Sequence, residues 1–408
     1  MFTRSVLANI KKSLLDFPVV FIMGPKSAGK TTLVRELLPT RYYVQYATLD
    51  DPAVRSAARA DPAGFAAGLA TPVVIDEAHR APGLFPAIRA LVDRERIPGS
   101  FILTGSMDVA ADPLVTEHMA GRMDTVTLLP LAKAEMEASS ANAVDRLFAR
   151  EGWDVDWGSP SDSDLVRAVA VGGYPPATAK AAPRRRRAWL ESLVTTLVER
   201  DARDAANLHD PDALDTLLRL LAARAGRLLS YAEISRAAGV PQTTLKRHMA
   251  LLRDLFLIWE LPAWSAPSGR RLAKAPRLMF TDTGLATALL GRDEKSLATD
   301  RNPFASLLEN FVASEMAKQG SWSATKPVLR HMRAYAGPGV GLVMEDGQGR
   351  IVGVETKPTA TPVSDDFKGL RLLADACPDR FLRGVVLHLG DAAVPFGRNL
   401  WALPVAGL

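Results

Sequence analysis

The chain has 408 residues, 48% of them hydrophobic and 23% charged, with a formal net charge of +5. That composition excludes a disordered or low-complexity chain and leaves room for two or three hydrophobic cores. The single cysteine, Cys377, excludes an intramolecular disulfide and a four-thiolate zinc site, and fits a reducing compartment.

The apolar run at 18–23 is too short for a secretory leader and follows Lys11 and Lys12. No segment approaches the roughly 20 apolar residues of a membrane helix. A cytoplasmic location with no membrane contact is expected. The mildly basic balance permits nucleic-acid binding without demanding it.

In chain order, strand-like runs at Val19–Met23, Tyr42–Leu49, Thr71–Ile75 and Phe101–Thr104 alternate with helical stretches such as Lys30–Leu38 and Gly83–Asp93. Buried-type runs alternating with helices predict a parallel α/β sheet over 1–130. Residues 131–208 read as mostly helical, broken by "GGYPPA" at 172–177. Within them Arg184–Arg187 open a helix against its dipole, which calls for an anion or for plain solvation. Residues 209–295 read as a helical unit ending in two short strands, and 296–408 as a further α/β domain with strands at Gly341–Met344, Ile351–Thr356 and Gly384–Leu389.

Gly24, Pro25, Lys26, Ser27, Ala28, Gly29, Lys30, Thr31 and Thr32 follow the first strand and match G-x-x-x-x-G-K-S/T without a gap. Glycines let successive backbone N–H groups turn inward towards phosphate oxygens. The helix starting near Lys30 aims its positive dipole end at the same anion. Lys30 supplies a point charge to the β- and γ-phosphates, and the Thr31 hydroxyl can ligate Mg²⁺. ATP and Mg²⁺ are the expected ligands; the bland alternative is a glycine-rich turn. Downstream, "VVIDEAHR" is an apolar strand ending in Asp76, a Mg²⁺-side carboxylate, and Glu77, a base for the attacking water. A third strand, "FILTGS", ends in Ser106, expected beside the γ-phosphate, with Thr104 as the alternative.

The chain resembles the bacterial and archaeal ATPases of the AAA superfamily that carry a C-terminal restriction-endonuclease-like domain. The residues behind the resemblance are "GPKSAGKTTL", "LDDP", "VVIDEAH", "LTGS", "MAGR", "GGYPPA", "LVERDARD", "FTDTGLATALLG", "LLENFVASEM" and "GVETKP". The resemblance implies the roles given above for Lys30, Thr31, Asp76 and Glu77. It also implies that Arg122 lies near a nucleotide, its own or a neighbouring subunit's, as an arginine finger, with a surface ion pair as the alternative. Pro175 is expected either on the adenine ring or as a helix breaker. Such ATPases often hold the nucleotide between subunits, so a homo-oligomer is expected.

"LLSYAEISRAAGVPQTTLKRHMALLRDLFLIWEL" reads as helix-turn-helix, with Gly239 at the turn and Pro241 opening the second helix. Two strands after it would form a wing. Gln242, Thr243, Thr244, Lys246 and Arg247 are the residue types that touch base edges and phosphates from such a helix. Arg270, Arg271 and Lys274 fall between the wing strands. DNA is the expected partner, and a protein-binding or lid module is the alternative.

Restriction-type nucleases place an aspartate on one strand and Glu-x-Lys on the next, the carboxylates holding a metal. Here Glu355 and Lys357 supply the second part, and Glu309 is a candidate helical acid. Relatives tend to read Glu-Val-Asp where this chain reads Gly339-Val340-Gly341. Glu345 lies four residues beyond Gly341, a displacement of roughly 13 Å along a strand. A nuclease fold without nuclease activity is therefore expected, with Lys357 and Lys368 still able to touch phosphates.

The expected architecture is an α/β, P-loop parallel-sheet AAA-type domain (1–130), a helical lid (131–208), a winged helix (209–295) and a restriction-endonuclease-like α/β domain (296–408). The expected function is ATP binding and hydrolysis coupled to DNA binding or remodelling. The alternatives are a slow nucleotide-dependent switch acting on a protein, and a metal-dependent nuclease.

Overall fold

Val19–Met23 form β1, five consecutive buried residues with a strand on either side in a parallel sheet. The computed structural model describes residues 2–38, 42–109, 112–150, 157, 162–201, 211–265, 272–334 and 337–408. Met1–Pro130 and Leu252–Leu257 make one compact unit, and Leu131–Leu251 with Ile258–Leu408 make a second. The lid and C-terminal segments expected from sequence fall in the second unit, and so does the helix-turn-helix segment except for Leu252–Leu257.

In the first unit the strands are β1, β2 (Gln45–Thr48), β3 (Val73–Asp76), β4 (Phe101–Gly105) and β5 (Met123–Thr127), in the order β2-β3-β4-β1-β5. All neighbours run parallel. Alternate residues serve opposite faces: Val19, Phe21, Ile75 and Leu103 join one core, and Val20, Ile22, Val74 and Ile102 the other. Helices Pro52–Ala60 and Pro62–Ala67 start where the Asp51 and Asp61 carboxylates accept first-turn N–H groups. From the late segment, Phe256 packs against the first of these cores, and Asp254 O accepts from Asp108 N at 2.8 Å. Strand β5 lacked a signal in the sequence because it is an edge strand in which Val126 alone is buried.

The second unit is organised by helix Arg301–Trp322, whose buried face carries polar residues. Asn310 both accepts from Phe280 N (2.7 Å) and donates to Phe280 O (2.8 Å), so a side chain replaces a strand neighbour. Glu315 accepts from Lys133 N at 2.8 Å, and Gln319 Oε1 from Ala143 N at 2.6 Å. The "GGYPPA" and "FTDTG" motifs meet each other. Buried Asp282 accepts from Gly173 N at 2.6 Å and Leu285 N at 2.9 Å. Burial pushes its carboxyl above the ordinary range, opposed first by Lys318.

Helices Tyr231–Ala238 and Gln242–Asp254 are joined through Gly239, at φ +67°, and followed by an antiparallel ribbon of β6 (Ile258–Leu261) and β7 (Arg277–Phe280). A mixed sheet follows, made of β8 (Val328–Arg333), β9 (Gly339–Glu345), β10 (Ile351–Thr356), β11 (Phe381–His388), β12 (Val394–Gly397) and β13 (Leu400–Pro404). Its order is β12-β13-β11-β10-β9-β8.

Gly173 admits no side chain: a Cβ there would lie 2.0 Å from the Leu131 carbonyl oxygen. Gly173→Ala is expected to destabilise by about 1–3 kcal/mol, seen as a lower Tm by calorimetry. Gly347→Ala, with nothing within 4 Å of its Cβ, should leave Tm unchanged.

Candidate functional site

The loop after β1 is built on backbone conformations that side chains resist. Gly24 has φ +153°, and a Cβ on it would meet the Leu128 carbonyl oxygen at 2.1 Å; Gly29 has φ +100°. Lys30 is buried, with its ammonium donating to Gly24 O at 2.9 Å and Pro25 O at 3.0 Å. Arg4 braces the loop from behind, donating to Ala28 O (2.8 Å) and Leu129 O (2.6 Å).

Because β4 lies between β1 and β3, its C-terminal end sets hydroxyls beside the two acids. Asp76 Oδ2 accepts from Thr31 Oγ1 at 2.9 Å and from the Tyr46 hydroxyl at 2.6 Å. Thr104 Oγ1 donates to Asp76 Oδ1 and accepts from Glu77 N at 3.0 Å. Glu77 has φ +57°. Its Oε2 accepts from Ser106 Oγ at 2.9 Å and lies 3.2 Å from His79 Nδ1. Burial raises the Glu77 carboxyl above the usual range, and Lys30 and the Ser106 hydrogen bond pull it back. Burial and the neighbouring Asp76 push the Tyr46 phenol well up.

Lys30, Thr31, Asp76, Glu77, Thr104 and Ser106 thus converge at one end of the sheet. Glycine conformations, a buried ammonium and a hydroxyl–carboxylate pair suit a phosphate with Mg²⁺: the loop and Lys30 would hold the phosphates, and Thr31 and Asp76 the metal. Sequence reasoning missed Tyr46 and Arg4. Tyr46 sits on a strand of mixed polarity, 30 residues from Asp76, and Arg4 reaches the loop from 24 residues away, so no local motif announces either.

Arg122 is not brought to this loop. It precedes β5, and its carbonyl accepts from Val19 N at the opposite end of β1. Its guanidinium pairs with Asp93, Nε to Oδ1 at 2.6 Å and Nη2 to Oδ2 at 3.0 Å. Pro175 opens the short helix Pro175–Thr178 in the second unit.

On helix Gln242–Asp254, Gln242, Thr243, Lys246 and Arg247 are exposed and Thr244 is half-buried, while Leu245 and Met249 face inward. Arg270 and Arg271 lie outside the described residues; Lys274 is exposed. The arginine run at 184–187 is partly neutralised within the chain, by Arg186–Glu294 at 2.8 Å and Arg187–Glu191 at 2.9 Å.

In the C-terminal sheet, Glu355 Oε2 accepts from Gly341 N at 2.8 Å. Lys357 lies 3.6 Å from Glu355 and 3.8 Å from Asp366. Glu309 pairs with Arg277 at 2.8 Å. Lys368 pairs with Asp365 at 2.7 Å. Among the described residues, no group of three His, Cys, Asp or Glu side chains is arranged to hold a metal, and no helix is long and apolar enough to cross a membrane.

Comparison with known families matches residues 16–137 to one described as an AAA domain. Residues 162–296 and 304–408 match two domains of unknown function, DUF8612 and DUF4143. The uncharacterized protein Rv2008c of Mycobacterium tuberculosis is 31% identical over 404 residues, covering 98% of this chain and 83% of its own. The uncharacterized protein Mb2031c of Mycobacterium bovis gives the same figures. Among solved structures, the Walker-type ATPase PABY2304 of Pyrococcus abyssi aligns with TM-score 0.44 and 16% identity, over 71% of this chain and 96% of that one. The chain belongs to the family of the two mycobacterial proteins, and its first unit is an AAA-type P-loop ATPase domain.

Proposed function

We propose that this protein is a Mg²⁺-dependent ATPase that couples ATP binding and hydrolysis to the binding or remodelling of DNA. The observation that carries the ATPase part is the convergence of Lys30, Thr31, Asp76 and Glu77 at one sheet end. Lys30 exchanges its carbonyl partners for the β- and γ-phosphate oxygens. Thr31 and Asp76 hold Mg²⁺, which supplies charge neutralisation on those phosphates. Glu77 orients the attacking water and takes its proton. Ser106, hydrogen-bonded to Glu77, couples that base to the state of the γ-phosphate.

Arg122 immediately precedes β5 and lies at the pole of the sheet away from its own loop. As an arginine finger it serves a neighbouring subunit of a homo-oligomer, after release from Asp93. For DNA, support comes from the exposed polar face of helix Gln242–Asp254, read as the recognition helix of a winged helix with β6 and β7 as its wing. A second reading, a slow nucleotide-dependent switch acting on a protein, is favoured by two contacts, those of Ser106 and His79 with Glu77, which engage the base and would slow basal turnover. DNA-stimulated ATP hydrolysis separates the two, since the switch predicts tight nucleotide binding without stimulation.

Lys30→Ala is expected to lower kcat/KM for ATP at least about 100-fold and to weaken ATP binding by calorimetry. Glu77→Gln should bind ATP normally and hydrolyse it roughly 10²–10⁴-fold more slowly. Unchanged turnover in either variant removes its assigned role.

A base with a raised folded-state pKa must be ionised to act. The acid limb of the kcat/KM profile is therefore expected above the ordinary carboxylate range, with activity lost as pH falls through it. Ser106→Ala removes a hydrogen bond that lowers that pKa, so its limb should move to still higher pH.

Lys246→Ala with Arg247→Ala should weaken duplex binding and flatten the log–log salt dependence by up to about 1.8 units. An unchanged slope in a fluorescence-anisotropy titration retires this helix as the DNA contact.

A further inference from the structure

A restriction-type nuclease site holds a divalent metal among acids on a helix and two adjacent strands. The residues here do not fit that metal, and the misfit has a definite chemical form. Val354 pairs with Leu342 across β10 and β9, which sets Glu355 opposite Gly341. A Cβ at Gly341 would lie 3.7 Å from Glu355 Oε2 and 3.8 Å from Arg277 Nη1. The same Nη1 donates to Glu309 Oε2 at 2.8 Å. A guanidinium therefore stands where the side chains of positions 309, 341 and 355 converge.

We infer that Arg277 is the built-in cation of this cluster: its guanidinium takes the place of a divalent metal beside Glu309 and Glu355, and the C-terminal sheet is held together without one. A guanidinium is a planar, delocalised cation with five N–H donors and no acceptor. A metal ion among these carboxylates would face that charge at close range, where like charges repel. Lys357 adds a second cation, against Glu355 and Asp366. Glu345 does not restore the missing ligand: it pairs with Ile351 across the strands and is bound to Arg330 and Arg380. Nη1 is the guanidinium atom nearest position 341, 3.8 Å from a Cβ placed there, so it is the donor that a carboxylate at that position would meet.

The test counts Mn²⁺ bound to the nucleotide-free, full-length protein by electron paramagnetic resonance titration. Any Mn²⁺ held near Asp76 is common to all variants and cancels. Wild type and Glu355→Gln are expected to bind the same number of ions; the loss of one ion in Glu355→Gln overturns the inference. Gly341→Asp should raise Tm in chelator, because the new carboxylate meets Arg277, and should gain no Mn²⁺. A gained ion in that single variant equally overturns it. The double variant Gly341→Asp with Arg277→Met should bind one additional Mn²⁺ and gain thermal stability on its addition. A folded double variant with no added ion shows that Arg277 is not what excludes the metal. If the double variant does not fold, the Glu355→Gln comparison still decides the question.

Discussion

The Asp76 carboxylate is the point on which the nucleotide site depends. Hydroxyls from three places in the chain converge on it: Thr31 from the loop, Tyr46 from β2 and Thr104 from β4. Each of those strands has its own reason to be there. β2 flanks β3, and β4 is interposed between β3 and β1. The sheet order therefore decides which side chains share the carboxylate. Inserting β4 also places Thr104 under the backbone of Glu77 and Ser106 on its side chain. One topological choice thus ties the phosphate loop, both acids and the third strand into a single hydrogen-bonded set, which holds its geometry because every member is partnered.

The second unit solves a different problem with the same chemistry. Helix starts, a strand end and a loop in its interior would leave backbone N–H groups unpaired, at a cost comparable to a lost hydrogen bond. Side-chain acceptors meet them instead. Asn310 serves Phe280, Glu315 serves Lys133, Gln319 serves Ala143, and Asp282 serves Gly173 and Leu285. Three of these acceptors lie on one helix at positions 310, 315 and 319. This explains why that helix has a polar yet buried face. Gly173 and Asp282 are packing residues, and their chemistry is spent on the backbone.

What the sequence made legible follows from how local each feature is. β1 and β10 were readable to the residue because both are buried runs bounded by turns. The loop glycines and Lys30 were readable because their work is done within nine residues, Gly24 to Thr32. β5 and β12 gave no signal, since edge strands bury few side chains and their pattern is faint. Tyr46, Arg4 and Arg277 were invisible for another reason. Each acts on a partner 24–32 residues away, and only the folded chain brings the pair together. Arg122 shows the converse limit: a motif suggested a role near a nucleotide, while strand direction puts the residue at the other pole of its own sheet.

The two carboxylate sites differ in the kind of donor that answers them. Asp76 is held by neutral hydroxyls, and Lys30 rests on neutral carbonyl oxygens. Such partners can be exchanged for a metal or a phosphate without breaking an ion pair, so the site is organised and still open to charge. Glu309 is held by a guanidinium, and Glu355 stands between a backbone amide and an ammonium. To admit a divalent ion there, the chain must first expel a charge that it cannot neutralise. Ligand count alone does not separate these cases, since each site presents a pair of carboxylates, Asp76 with Glu77 and Glu309 with Glu355. The charge already paired with the carboxylate separates them, and in this chain that difference is set by Gly341 and by an arginine on a strand 64 residues earlier in the sequence.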